Sequence, residues 1–207
     1  ESARILVAGG ADVTVQAPKY GSALTVAAAS GYETLSLFLL EKGADPNVAD
    51  ADGITPLHYA MARGLAEIIS AAPTSAYDDA YKVRPSNMRE LAKALVARGA
   101  TPNARIRKVL VTFGTTVGLH GPGVPSMVGA TPFILAAIAA DVDLRRMLLA
   151  AGADPKLRAA GNTTALLAAA GGAWNGYRNE EEKKKALEAA KLVVDLGADV
   201  NEANSGG

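Results

Sequence analysis

A five-residue phrase, Gly-Ala-Asp/Thr-x-Asn, recurs along this 207-residue chain and narrows sharply what it can fold into. It stands as Gly43-Ala44-Asp45-Pro46-Asn47, as Gly99-Ala100-Thr101-Pro102-Asn103 and as Gly197-Ala198-Asp199-Val200-Asn201. With its last residue replaced it returns as Gly10-Ala11-Asp12-Val13-Thr14 and Gly152-Ala153-Asp154-Pro155-Lys156. Self-similarity of this kind marks supersecondary units stacked in a line, with a core that runs along the stack. From Gly10 to Gly43 is 33 residues, while the next three intervals are 56, 53 and 45, longer by 23, 20 and 12.

A second phrase alternates with the first. Gly53-Ile54-Thr55-Pro56-Leu57-His58-Tyr59-Ala60 is its fullest copy, and Gly129-Ala130-Thr131-Pro132-Phe133-Ile134-Leu135-Ala136-Ala137 a close variant. Ser22-Ala23-Leu24-Thr25-Val26-Ala27-Ala28 and Thr164-Ala165-Leu166-Leu167-Ala168-Ala169 lack the Pro and the His. Thr55 is expected to cap a helix, with Pro56 at its first position, where the missing N–H costs nothing. Leu57, Ala60 and Met61 then share one face, as do Leu35, Phe38 and Leu39 in the helix before. Gly43 is placed to end that helix in a left-handed conformation. Runs such as Ala27-Ala28-Ala29 favour helix and let neighbouring helices approach closely.

On these two phrases the chain resembles the ankyrin-repeat family over nearly its whole length, as a bacterial-type array with inserted loops. The resemblance implies an all-α fold, a solenoid of helix-turn-helix units with hairpin fingers and, here, three insertions. The expected organisation is one solenoid domain over 1–207: a partial repeat at 1–16 and repeats at 17–49, 50–104, 105–157 and 158–207. Glu1 to Gly10 reads as the second helix of a repeat without its turn and first helix, so a longer array is expected around the chain.

Spacing locates the insertions. Thr25 to Gly43 and Ile134 to Gly152 are both 18 residues, but His58 to Gly99 is 41 and Leu167 to Gly197 is 30. Two insertions therefore fall between the helices of their own repeats, and one falls in a finger, after Asn103. The first lies within 70–87, with Asn87 and Glu90 as an expected capping box for the next helix. The second, about 105–127, alternates polar and β-favouring residues and predicts a long hairpin finger returning through Gly121-Pro122-Gly123-Val124-Pro125. The third runs from Trp174 to about Lys185, with Asn179 as an expected N-cap and Glu180–Lys184 and Glu181–Lys185 as i,i+4 pairs.

Composition narrows the function. With 21 basic and 21 acidic residues the chain is formally neutral, which argues against nucleic acid or an anionic membrane as the main partner. No stretch of 18 consecutive apolar residues exists to insert into a membrane. Absence of cysteine removes disulfides, thiolate metal sites and a cysteine nucleophile. Of the two histidines, His58 belongs to the repeat phrase, and the resemblance implies that it hydrogen-bonds the turn. His120 lies in Gly118-Leu119-His120-Gly121, without the serine elbow that an esterase would need. Asp50 and Asp52 flank a finger and read as a solvated turn, and no metal, cofactor or catalytic constellation emerges.

The reading is thus a non-catalytic scaffold for another protein, or for neighbouring repeats of its own longer chain. By the resemblance, the partner meets a concave face of finger tips and first helices. Lys19, Gly21, Ala51, Asp52, Ile54, Met127 and Ala130 come from the fingers, and Ser30, Arg63 and Ala139 from the helices. Five of the ten aromatics, Tyr77, Tyr81, Phe113, Trp174 and Tyr177, sit in the insertions, where with His120 they either contact a partner or fold the loops back on the solenoid. The alternative is a small-ligand or glycan-binding module with the loop aromatics as a stacking platform.

Overall fold

A computed structural model describes residues 1–62, 88–108, 111–112, 115–116, 128–139, 141–170 and 180–203. After a lone helix α1 (Ser2–Ala8), a short hairpin of β1 (Gln16–Ala17) and β2 (Gly21–Ser22) leads into α2 (Ala23–Ala29) and α3 (Glu33–Glu41). A fourth helix, α4, covers 56–62, and α5 is Arg89–Ala97. A second hairpin, β3 (Val111–Thr112) with β4 (Thr115–Thr116), precedes α6 (Pro132–Ile138) and α7 (Val142–Ala150). A 3-10 turn at Ala160–Asn162, α8 (Ala165–Ala170) and α9 (Glu180–Asp195) complete the order. Helices pack in pairs, α2 on α3, α6 on α7 and α8 on α9. Successive second helices α3, α5, α7 and α9 also touch in turn, and α6 packs on α8. This is the all-α solenoid that the repeats imply.

Each recurring letter has a local cause. Ser22, Thr55, Thr131 and Thr164 accept the N–H three residues on, at 3.2, 3.4, 3.4 and 3.1 Å, so the same position caps four successive first helices. At the far end of α3, Gly43 takes φ +92 while its N–H donates to Leu40 and that of Ala44 to Leu39. That pairing is a Schellman cap, and nothing lies within 4 Å of the missing Cβ, so conformation and not crowding requires glycine. The Asp of the phrase folds the following turn: Asp12, Asp45, Asp154 and Asp199 each accept the N–H two residues on at 2.8–2.9 Å. Thr14's hydroxyl, then its N–H, hold the Asp12 carboxyl below its usual range.

Asparagine joins one repeat to the next. Asn47 donates to the Gly99 carbonyl at 3.0 Å and accepts from the Thr101 N–H at 2.7 Å. Asn103 does the same to Gly152 and Asp154, at 2.9 and 2.8 Å. The core beneath is a continuous apolar stack that includes Leu24, Leu57, Leu91, Leu95, Leu135 and Leu148, all fully buried. Alanines at 28, 60, 137, 168 and 169 set the close approach of the helices.

Polar contacts staple the second helices. Asp141 caps α7 by accepting the Leu144 N–H at 3.0 Å, and its other oxygen meets Arg89 of α5 at 2.5 Å. Arg145, wholly buried, donates to the Ala189 carbonyl of α9 at 2.6 Å, although its Nη2 finds no partner among the described residues. Burial pushes its guanidinium down to about 10, against the pull of Asp141.

Two expectations are corrected at this level. Helix α5 begins at Arg89 behind Met88 with no side-chain cap, Glu90 pairs with Lys93 at 2.8 Å, and Asn87 lies outside the described residues. The carboxylate that the α5 amide Leu91 N–H meets comes from Glu33 of the preceding repeat, at 3.3 Å. On α9, Glu180 pairs with Lys183 at i,i+3 and 2.8 Å, not with Lys184; Asn179 and the Lys185 side chain are not described. Part of the third insertion is helix, since α9 has 16 residues where α3, α5 and α7 have 9.

Candidate partner-binding face

The fingers rest on one another through the backbone. Ala51 N–H donates to the Lys19 carbonyl at 3.3 Å, Arg107 N–H to Asp52 at 2.7 Å, and Ala160 N–H to Val128 at 2.7 Å. Within the third finger, Ile106 N–H meets the Ala130 carbonyl at 3.1 Å and Gly129 N–H meets that of Ile106 at 2.7 Å. The inserted residues thus leave and rejoin a paired finger. Its strands pair Val111 with Thr116 and Thr112 with Thr115, and the expected return through Gly121–Pro125 lies outside the described residues.

Asp50 organises the second finger. One carboxylate oxygen accepts the N–H groups of Asp52 and Ile54, at 2.9 and 3.0 Å, and the other accepts the Tyr59 hydroxyl at 2.6 Å. Burial, then the hydrogen bond to Asp50, raise the Tyr59 phenol far above its usual pKa and keep it neutral. Asp52 takes the ammonium of Lys108 at 3.0 Å, so this finger edge is tied to the next finger and is more than a solvated turn. Gly53, at φ +78, leaves room for Arg107: a Cβ there would stand 2.9 Å from Arg107 Nε.

His58 is structural. Its Nδ1 faces the Thr55 hydroxyl at 2.8 Å and accepts the Thr55 N–H at 3.2 Å. Its Nε2 then carries the proton and donates to the Ala104 carbonyl, 3.1 Å away. Burial lowers its pKa from 6.5 to about 4, despite the carbonyls of Ala130 and Ala104. At the equivalent place Thr25 donates to the Val48 carbonyl at 2.7 Å. Each bond ends one residue beyond an inter-repeat asparagine, Asn103 or Asn47.

Capped helices, left-handed glycine turns and polar bonds at a repeated position are features of stacked helical repeats. Residues 1–71 carry ankyrin repeats. A family model of three tandem ankyrin repeats matches residues 1–71. The chain is also 40% identical over 73 residues, 35% of its length, to a Caenorhabditis elegans protein named ankyrin repeat and KH domain-containing protein mask-1, of which it spans 3%. Ankyrin repeats are, in general, protein–protein interaction modules.

Of the residues expected on the concave face, Lys19 is exposed with its ammonium 5.0 Å over the Tyr20 ring, and Asp52 and Ser30 are half-buried. Ile54 is a correction: at 1% exposure it belongs to the core, because the residue before the Thr55 cap points inward. Arg63, Tyr77, Tyr81, Phe113, His120, Met127, Trp174 and Tyr177 lie outside the residues whose side chains are described. The sequence reading missed a set of charges that the fold gathers. Arg105 donates to the Arg158 carbonyl, and Arg158 pairs with Glu202 and donates to Asn162 at 2.7 Å. Their one sequence signal is Arg105-Ile106-Arg107-Lys108, a basic run two residues past the Asn103 rung.

Among the described residues no three His, Asp or Glu gather as a metal site, and no helix is long and apolar enough to cross a membrane.

Proposed function

We propose that these ankyrin repeats form a non-catalytic scaffold that binds another protein through the concave face and the inserted loops. The observation that carries the reading is the continuous row of fingers. Backbone bonds join Lys19 to Ala51, Asp52 to Arg107, and Val128 to Ala160, and so give a partner one rigid edge across successive repeats. A surface held in register by backbone hydrogen bonds loses little entropy on binding. Ser30 and Ala139, the half-buried C-terminal caps of α2 and α6, would form the helical wall of that face.

Proteins retained from extracts of the source cells by the immobilised chain test this, with quantitative mass spectrometry as the readout. Ser30→Arg/Ala139→Arg places two long side chains on the helical wall and is expected to lower specific recovery about tenfold or more. Glu41→Arg/Asp195→Arg, on the second helices, is expected to leave it unchanged. Equal recovery by all three folded proteins would count against the concave face.

A further inference from the structure

The chain is neutral as a whole, yet its finger row is not. Lys19, Arg105, Arg107, Lys108 and Arg158 stand there against Asp50, Asp52 and Glu202, five cations to three carboxylates, so the rest of the chain carries the balancing negative charge. The three carboxylates are moreover engaged. Asp50 accepts two backbone N–H groups and the Tyr59 hydroxyl, Asp52 holds Lys108, and Glu202 holds Arg158.

Among the described residues, three exposed cations have no acidic partner. Lys19 covers the Tyr20 ring, Arg105 donates to a neutral carbonyl, and Arg107 runs close by Gly53, where a Cβ would stand 2.9 Å from its Nε. They sit on fingers already joined by the Lys19–Ala51 and Asp52–Arg107 backbone bonds, so they form a stripe and not a scatter. The backbone of Arg107 is fixed to Asp52 before any partner arrives, so only its side chain has to be ordered on binding. The inserted residues 109–127 that follow contain no charged side chain, so the finger brings no acid to neutralise the stripe.

We propose, on the footing that the concave face is the binding face, that its finger row takes an acidic polypeptide segment. Carboxylates spaced along an extended chain meet Lys19, Arg107 and Arg105 in turn, with planar guanidinium groups suited to bidentate contact. A peptide fits better than a nucleic acid because its carboxylates can be spaced to miss Asp50, Asp52 and Glu202, whereas a phosphate recurs at every nucleotide.

Fluorescence anisotropy of a labelled oligo-glutamate peptide, titrated with the full chain at low and at physiological ionic strength, tests the proposal. Saturable binding that weakens with salt is expected. Lys19→Glu/Arg107→Glu is expected to weaken it about tenfold or more, while Lys184→Glu/Lys191→Glu, the same net change placed on α9, leaves it unchanged. If circular dichroism shows that the Arg107 change unfolds the finger, Lys19→Glu alone carries the test, because its ammonium lies exposed over the Tyr20 ring. Equal weakening by both double variants, no binding at low salt, or tighter binding of a single-stranded oligonucleotide or of phosphatidylserine vesicles would each overturn the proposal. Should oligo-glutamate fail while Ser30→Arg/Ala139→Arg still abolishes partner recovery, the scaffold reading stands and the acidic partner falls.

Discussion

At the scale of single residues, the side chains that look most like chemistry in this chain hold the turns together. His58 spends Nδ1 on the Thr55 cap and Nε2 on the Ala104 carbonyl, with no exposed edge left for a substrate. Its cost appears in acid. The folded pKa of about 4 lies below the ordinary 6.5, so the unfolded chain binds the proton first as pH falls. Stability is therefore full above pH 6.5, declines as pH drops towards 4, and declines no further from this group below that. Over that window the loss amounts to about 3 kcal/mol, from the 1.36 kcal/mol per pKa unit of linkage. Urea unfolding at pH 7 and at pH 5, above most carboxylate titrations, isolates about 2 kcal/mol of it. In His58→Gln that pH-dependent loss is expected to vanish, while stability at pH 7 falls by about 1–3 kcal/mol from the broken bonds. A wild-type unfolding midpoint that stays level between these pH values would mean that the imidazole is not held neutral.

At the scale of elements, the solenoid is a series of joints of unequal strength. Asn47 and Asn103 each close a two-bond rung to the next repeat, and Thr25 and His58 tie their own first helices to the residue just past each asparagine, Val48 and Ala104. The corresponding positions of the later first helices are Ile134 and Leu167, which have no hydrogen to donate. Position 156 holds lysine where a rung would begin, although its backbone is already in the turn: Lys156 N–H meets Asp154 at 2.9 Å, as Asn47 N–H meets Asp45 at 2.8 Å. Lys156→Asn is expected to build the missing rung to the Gly197 turn and to stabilise the last repeat by about 1 kcal/mol. Thermal unfolding of the variant beside wild type measures this, and an unchanged or lower midpoint would show that the last joint has a different geometry. Capping behaves differently from the rungs, because the carboxylate that meets the Leu91 amide of α5 comes from Glu33, 58 residues away. A cap supplied across repeats leaves no local signature, which is why Asn87 and Glu90 suggested a capping box that the helix does not use.

At the scale of the whole molecule, the legible part of the fold was whatever the backbone demands locally. Gly43 at positive φ, the Thr55-Pro56 start and the asparagine at a fixed offset each satisfy a constraint within one turn of chain, so their letters repeat. The finger row was not legible, because Lys19, Arg107 and Arg158 are brought together by stacking across intervals much longer than any local pattern. Ile54 was misplaced for the related reason that a finger residue beside a cap can face either way, and only the stack decides. In a linear array each unit is stabilised by its own contacts and by its two interfaces, so the joints predict how the molecule opens. Helix α1 has no buried residue and exposes Ile5 and Leu6, and the joint that follows it has Thr14 in the rung position, its hydroxyl turned back to Asp12. The Asn47 rung joins the repeat of α2 and α3 to that of α5, and the Asn103 rung joins α5 to the repeat after it, so these helices share the array's two rungs and its buried leucines. Amide hydrogen exchange followed by mass spectrometry is therefore expected to show α1 exchanging fastest, α8 and α9 intermediate, and α2, α3 and α5 slowest. In Asn47→Ala the protection of α2 and α3 is expected to fall by about tenfold, with that of α9 unaltered, since a lost rung weakens its own joint before any distant one. Uniform loss of protection from one end to the other would mean that the array unfolds as a single cooperative unit, in which the strength of an individual joint has no local consequence.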